Sequence, residues 1–276
     1  MYPVDNIYWE AAEKYHCAIM KSLIFALSLI LTGMGVAHSQ KTESFRGKVN
    51  NGYNFWIYTP KGYSPDSIRP LFIFLHGRSL CGRDLNRVKR YGTLHAIDKG
   101  LDVDGIVLAP HNPGGAWNPQ KIMNTLKWVE QNFSVDTNRV YVLGISLGSY
   151  GALDFTGTFP DKVAATVSLC GGSTLTDFTG LAQVPIWFFH GTNDKAVPIS
   201  ASQKVIDGIK AIGDTCRHLF TPLKGHNHNT PAKILYMKET YQWLLEHSLQ
   251  HKGRPVNKEY TISSNEIANA YRSLSR

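Results

Sequence analysis

The stretch Val140-Tyr141-Val142-Leu143-Gly144-Ile145-Ser146-Leu147-Gly148-Ser149-Tyr150-Gly151-Ala152 decides how this chain folds. Its first four residues form an apolar, β-favouring run. Glycines then flank Ser146, and small, helix-compatible residues follow. The pattern predicts a strand, a sharp turn and a helix. Glycines on both sides of the serine remove the side chains that would collide in such a turn. The turn presents Ser146 Oγ at the carboxyl edge of the strand. The first helical turn brings unpaired N–H groups and a positive dipole end beside it. In this setting Gly144-Ile145-Ser146-Leu147-Gly148 has the form of a nucleophilic serine motif.

Outward from the motif the same alternation repeats. Strands are predicted over 55–58, 70–75, 105–109, 139–143, 163–169, 184–189 and 218–221. Pro70 to Leu75 is continuously apolar, as in a strand covered on both faces. Helices are predicted over 83–99, 120–133, 147–159, 200–212 and 231–249. Strands alternating with helices of this length imply βαβ units, a mainly parallel sheet and helices on both faces. The fold class is therefore α/β.

A serine hydroxyl needs a neighbouring base to attack at neutral pH. In the strand–turn–serine–helix context the order along the chain is Ser, then Asp or Glu, then His. That order leaves His190, His218, His226, His228, His247 and His251. His226 and His228 share the loop Lys224-Gly225-His226-Asn227-His228-Asn229, after the last strand and before the last helix. Such a loop reaches the sheet edge that carries Ser146. Gly225 gives the backbone freedom to aim its neighbour, so His226 is the expected base, with His228 the alternative. Asp194 closes Phe189-His190-Gly191-Thr192-Asn193-Asp194 at a strand end and is the expected acid; a carboxylate there orients the imidazole and stabilises its cation. The histidine pair has no nearby cysteine or carboxylate to complete a zinc ligand set, so no metal is expected.

Phe74-Leu75-His76-Gly77-Arg78 ends another buried strand. The loop after it should supply one oxyanion donor, the backbone N–H of Arg78, with Ser79 as the alternative. The other is the N–H of Leu147. Trp117, in a strand-end loop, is either a surface for a sugar or aryl ring or a core anchor.

Together these motifs, with Ser168-Leu169-Cys170-Gly171-Gly172 and Ile186-Trp187-Phe188-Phe189, resemble the esterase branch of the α/β-hydrolases. That branch includes feruloyl and acetylxylan esterases, polyhydroxybutyrate-depolymerase-like enzymes and predicted peptidases. The resemblance runs from about Phe45 to about His247. It implies a cofactor-free hydrolase with a Ser-His-Asp triad at Ser146, His226 and Asp194. Many such proteins carry a tryptophan just after the histidine motif; here Asn229-Thr230-Pro231 stands instead. The short gap from Gly172 to Pro185 leaves no room for a lid domain, which suits polymer-borne esters. Acetyl or feruloyl esters of polysaccharide are the expected substrates. A peptidase of the same fold and a catalytically silent carbohydrate-binding relative are the alternatives.

Composition agrees. The 276 residues are 43% hydrophobic and 18% charged, enough to bury one large core. The net charge of +8 is scattered, without the clustered basic and aromatic stripe of a nucleic-acid surface. Residues 1–39 read as a leader. Lys21 precedes an apolar run from Ser22 to Ala37, and Ala37-His38-Ser39 provides small residues at the cleavage site. Met20 is the expected initiator, because Asp5, Glu10 and Glu13 spoil the preceding segment as a leader. The run is short for a membrane span, so export to the periplasm or exterior is expected, without a stable anchor. Residues 40–250 then form the catalytic domain, and 251–276 a peripheral tail outside the alternation.

Overall fold

In a computed structural model of the protein, residues 39–276 are described, apart from 215, 273, 275 and 276. Residues 1–38 of the expected leader lie outside the described residues.

Eight strands form a single sheet in the order β1-β2-β4-β3-β5-β6-β7-β8. They span β1 Lys41–Phe45, β2 Asn54–Thr59, β3 Arg69–Leu75, β4 Ile106–His111, β5 Val135–Ile145, β6 Ala165–Leu169, β7 Ile186–Gly191 and β8 His218–Leu223. β1 pairs antiparallel with β2, and β2 antiparallel with β4. All other neighbours run parallel, from β4 through β3 and β5 to β8. β1 was not foreseen: its Lys-Thr-Glu-Ser-Phe sequence is polar at all but its last residue, as suits an edge strand exposed on one side.

The helices are α1 Thr93–Asp98, α2 Pro119–Asn132, α3 Leu147–Thr158, α4 Ser200–Ala211, α5 Lys238–Leu245 and α6 Ser264–Asn269. Two predicted helices are divided. The stretch 83–99 becomes a 3-10 segment, Leu85–Arg90, followed by α1. Gly92 breaks it at φ 93°, where a Cβ would sit 2.2 Å from the Phe74 ring. The stretch 231–249 becomes a 3-10 segment, Thr230–Tyr236, followed by α5.

The sheet is covered on both faces, and the two-residue period of its strands sorts the core. Leu71, Ile73 and Leu75 of β3 join Val140 and Val142 of β5 against Ile122, Leu126 and Val129 of α2 and Phe155 of α3. Phe72, Phe74, Tyr141 and Leu143 face the other way, against Leu94 of α1 and Tyr241, Trp243 and Leu244 of α5. Such alternate burial on two apolar faces holds a central strand in register, since a one-residue slip would exchange the faces. A smaller cluster joins Ile186 and Phe188 of β7 to Val205, Ile206 and Ile209 of α4.

The C-terminal stretch departs from its expected peripheral place. Val256, Ile262, Ile267 and Ala270 are buried in the same cluster as Phe72 and Trp243. The Tyr260 ring meets Trp187 edge-on at 5.3 Å. α6 begins with a capping box, in which Ser263 accepts from Glu266 N while Glu266 accepts from Ser263 N. The segment is short and mixed in polarity, so its apolar positions did not read as a core face.

Candidate active site

Ser146 sits between β5 and α3 with φ 54° and ψ −119°, a conformation that ordinary side chains rarely adopt. The close packing that holds it there explains its flanking glycines. A Cβ on Gly144 would lie 2.1 Å from Gly148 O, and one on Gly148 would lie 1.9 Å from Leu75 O. The Ser146 N–H donates to Leu169 O at 2.8 Å, which fixes the turn to the neighbouring strand β6.

His228 Nε2 lies 2.9 Å from Ser146 Oγ, and His228 Nδ1 lies 2.6 Å from Asp194 Oδ2. The Asp194 carboxylate is fully buried. Its Oδ1 accepts from the backbone N–H groups of Ala196 and Val197, each at 2.9 Å. Burial pushes this carboxyl up, but the hydrogen bonds from His228, Val197 and Ala196 outweigh it and hold the carboxyl below its ordinary value. An ionised Asp194 fixes the proton of His228 on Nδ1 and leaves Nε2 to accept from the serine hydroxyl.

The expectation for His226 is therefore corrected. Its backbone, not its imidazole, is committed: His226 N–H donates to Leu223 O at 3.1 Å, and its carbonyl accepts from Asn193 N–H at 2.9 Å. Gly225, at φ 78°, serves that tight turn. The chain then needs two more residues to reach Ser146, and Asn227 Oδ1 accepts from Asn229 N–H to shape that step. A glycine beside a histidine was a poor signal of which ring points inward.

His190 is buried near the end of β7. Its Nδ1 meets Ser202 Oγ at 2.8 Å and its Nε2 meets Val197 O at 2.9 Å and Asp194 Oδ2 at 3.3 Å.

Arg78 and Leu147 each occupy the first position of a helical segment, where an N–H has no intrahelical acceptor, and both line a cleft with Ser146. The neighbouring Gly77 N–H is already engaged, donating to Tyr91 Oη at 3.0 Å. Ser79, the alternative donor, lines the same cleft. His76 lies beneath this loop, fully buried. Its Nδ1 donates to Gly77 O at 2.8 Å and its Nε2 accepts from Asn112 N–H at 3.0 Å. Burial drives its pKa down to about 4, so it remains a neutral strut.

Trp117 does not reach the cleft, which corrects its reading as a ring-binding surface. It is 4% exposed and packs against Tyr53 and His76, and its Nε1 donates to His76 O at 3.2 Å. The close approach of Gly151 in α3 holds it inside: a Cβ there would lie 2.5 Å from Trp117 Cβ.

The cleft over Ser146 has a volume of about 660 Å³. Tyr91, Tyr150, Val197 and Tyr271 help to line it. Sequence reasoning missed these residues, because nothing local marks a tyrosine as cleft-facing. The connection from β6 to β7 holds only a 3-10 turn, Leu181–Gln183, as its shortness implied.

Donor atoms of Cys170, Asp194 and His228 lie within 4.8 Å of one another. They suit a metal poorly. Asp194 and His228 already bond each other, and burial pushes the Cys170 thiol up to about 12, away from the thiolate a metal needs. Among the described residues, Cys81, Cys170 and Cys216 form no disulfide.

Residues 117–245 match the family model described as phospholipase/carboxylesterase. A bifunctional acetylxylan esterase/xylanase from Neocallimastix patriciarum is 27% identical over 161 residues, covering 55% of this chain and 23% of that protein. The chain spans less than a quarter of the length of the curated relatives it matches. Among solved structures, a thermostable esterase superposes with a TM-score of 0.60 at 23% identity, over 76% of this chain and 63% of that one. A feruloyl esterase module from Clostridium thermocellum superposes with a TM-score of 0.55 at 17% identity, over 72% and 86%. At these identities the structural likeness is one of fold.

Proposed function

We propose that this chain, with its α/β-hydrolase fold and its match to the phospholipase/carboxylesterase family model over residues 117–245, works as an exported serine hydrolase of carboxylic esters, on acetyl or feruloyl groups borne by polysaccharide. One observation carries the reading: a single imidazole bridges Ser146 Oγ at 2.9 Å and a buried carboxylate at 2.6 Å.

Ser146 Oγ attacks the ester carbonyl as His228 Nε2 takes its proton. The carbonyl oxygen becomes an oxyanion, held by the N–H groups of Arg78 and Leu147. Asp194 stabilises the imidazolium that forms. His228 then returns the proton to the departing alcohol, leaving an acyl group on Ser146. Water, deprotonated by His228, attacks the acyl-enzyme, and His228 returns that proton to Ser146 Oγ as the acid is released and the serine regenerated.

The substrate class is supported by the acetylxylan esterase and feruloyl esterase relatives and by a cleft far larger than an acetyl group. Export is supported by the leader-like sequence of residues 20–39. Among the described residues no helix is long and apolar enough to cross a membrane.

Release of acetate from acetylated xylan and of ferulate from methyl ferulate tests the proposal, with peptide substrates alongside. Ester turnover that disappears in Ser146→Ala is the expected result. Peptide cleavage without ester cleavage would overturn it.

A further inference from the structure

The family-model match ends at Leu245, yet the chain beyond it returns to the cleft. Tyr271 follows α6 and lines the same cleft as Ser146 and Arg78. Only three large hydrophobic side chains are exposed among the described residues, and Tyr271, at 40%, is the one that lies in this cleft.

Its mounting is rigid. It packs on Tyr236 with ring centroids 4.2 Å apart and planes tilted by 35°. Tyr236 is itself buried, and its hydroxyl accepts from Gly92 N–H at 3.2 Å and lies 2.8 Å from His95 Nδ1. Ile267 and Ala270, just before Tyr271, anchor the segment in the core. The ring is thus presented as a fixed platform, so a flat partner would stack on it with little further loss of freedom. The same cleft is lined by the small residues Ala196 and Ala232.

We propose that Tyr271 is a specificity-determining residue, a stacking surface for the aromatic ring of a hydroxycinnamoyl group whose ester carbonyl sits at Ser146. This rests on the ester-hydrolase reading above and deepens it: the C-terminal segment selects aryl acyl groups over acetyl.

The test compares kcat/KM for methyl ferulate with that for methyl acetate in the unaltered chain, Tyr271→Leu and Tyr271→Trp. Leucine keeps the bulk that packs on Tyr236 but lacks a flat face. The ferulate-to-acetate ratio is expected to fall about tenfold in Tyr271→Leu, through KM, and to stay within about threefold in Tyr271→Trp. A ratio unchanged in Tyr271→Leu, or parallel losses on both esters, would overturn the assignment. A second arm measures binding of ferulate and of xylobiose to Ser146→Ala, with and without Tyr271→Leu. Ferulate binding weakened about tenfold by the second substitution supports the stacking role. Ferulate that does not bind, or a loss confined to xylobiose, contradicts it. Binding needs no turnover, so an unaltered chain that cleaves neither ester but binds ferulate through Tyr271 would count against the hydrolase reading alone.

Discussion

The chemistry turns on which of two histidines, two positions apart, meets the serine. His228 touches both Ser146 and Asp194, whereas His226 lends its backbone to a turn. His228→Ala should therefore lower kcat/KM at least about 1000-fold, and His226→Ala should change it by less than about threefold. Steady-state kinetics on one ester settles both. Ser146 also bears a backbone cost, with φ 54° in a residue that has a Cβ. Ser146→Gly should be more stable than Ser146→Ala by about 1–2 kcal/mol, read from urea denaturation, since both lack the hydroxyl and only one relieves the strain. The serine and the aspartate were legible in sequence because each follows the end of a strand. The histidine was ambiguous because its place depends on the path of a loop, which no local periodicity encodes.

Elements hold those residues by close contact. α3 presses onto the end of β3 at Gly148, and any side chain there meets the Leu75 carbonyl. Gly148→Ala should destabilise the protein by about 1–3 kcal/mol or more and displace Ser146, which thermal unfolding and activity together would report. After α5, His247 is 5% exposed with its ring against Trp243, and its Nε2 has no hydrogen-bond partner. Burial first, then repulsion from His251 and Arg254, lowers its pKa to about 4. Below pH 6.5 the unfolded chain takes up a proton that the folded His247 refuses, so stability falls as pH drops from about 6.5 towards 4. The loss is on the order of 3 kcal/mol. His247→Phe should flatten that part of the stability curve, and an unchanged slope would count against the assignment. Most strands were legible because two-sided burial gives continuous apolar runs. β1 was not, since an edge strand buries too little to announce itself, and the divided helices hid their breaks at Gly92 and Met237.

At the scale of the molecule, the parallel sheet brings the ends of β3, β5 and β7 and the loop after β8 to one edge, where residues far apart in sequence converge. The C-terminal segment is part of this body. Val256, Ile262 and Ile267 bury their side chains against the helices that cover one face of the sheet. Truncation after Gln250 would expose that surface and should lower the melting temperature by several degrees, where a merely appended tail could be removed without effect. Such a segment is hard to read from sequence, because its few apolar residues gain meaning only from the surface they cover. The most direct test of the account is labelling with a fluorophosphonate, located by mass spectrometry, in the unaltered chain, His226→Ala and His228→Ala. The account predicts an adduct on Ser146 that persists in His226→Ala and is lost in His228→Ala. Labelling that survives the loss of His228 but not of His226, or an adduct on another residue, would contradict it.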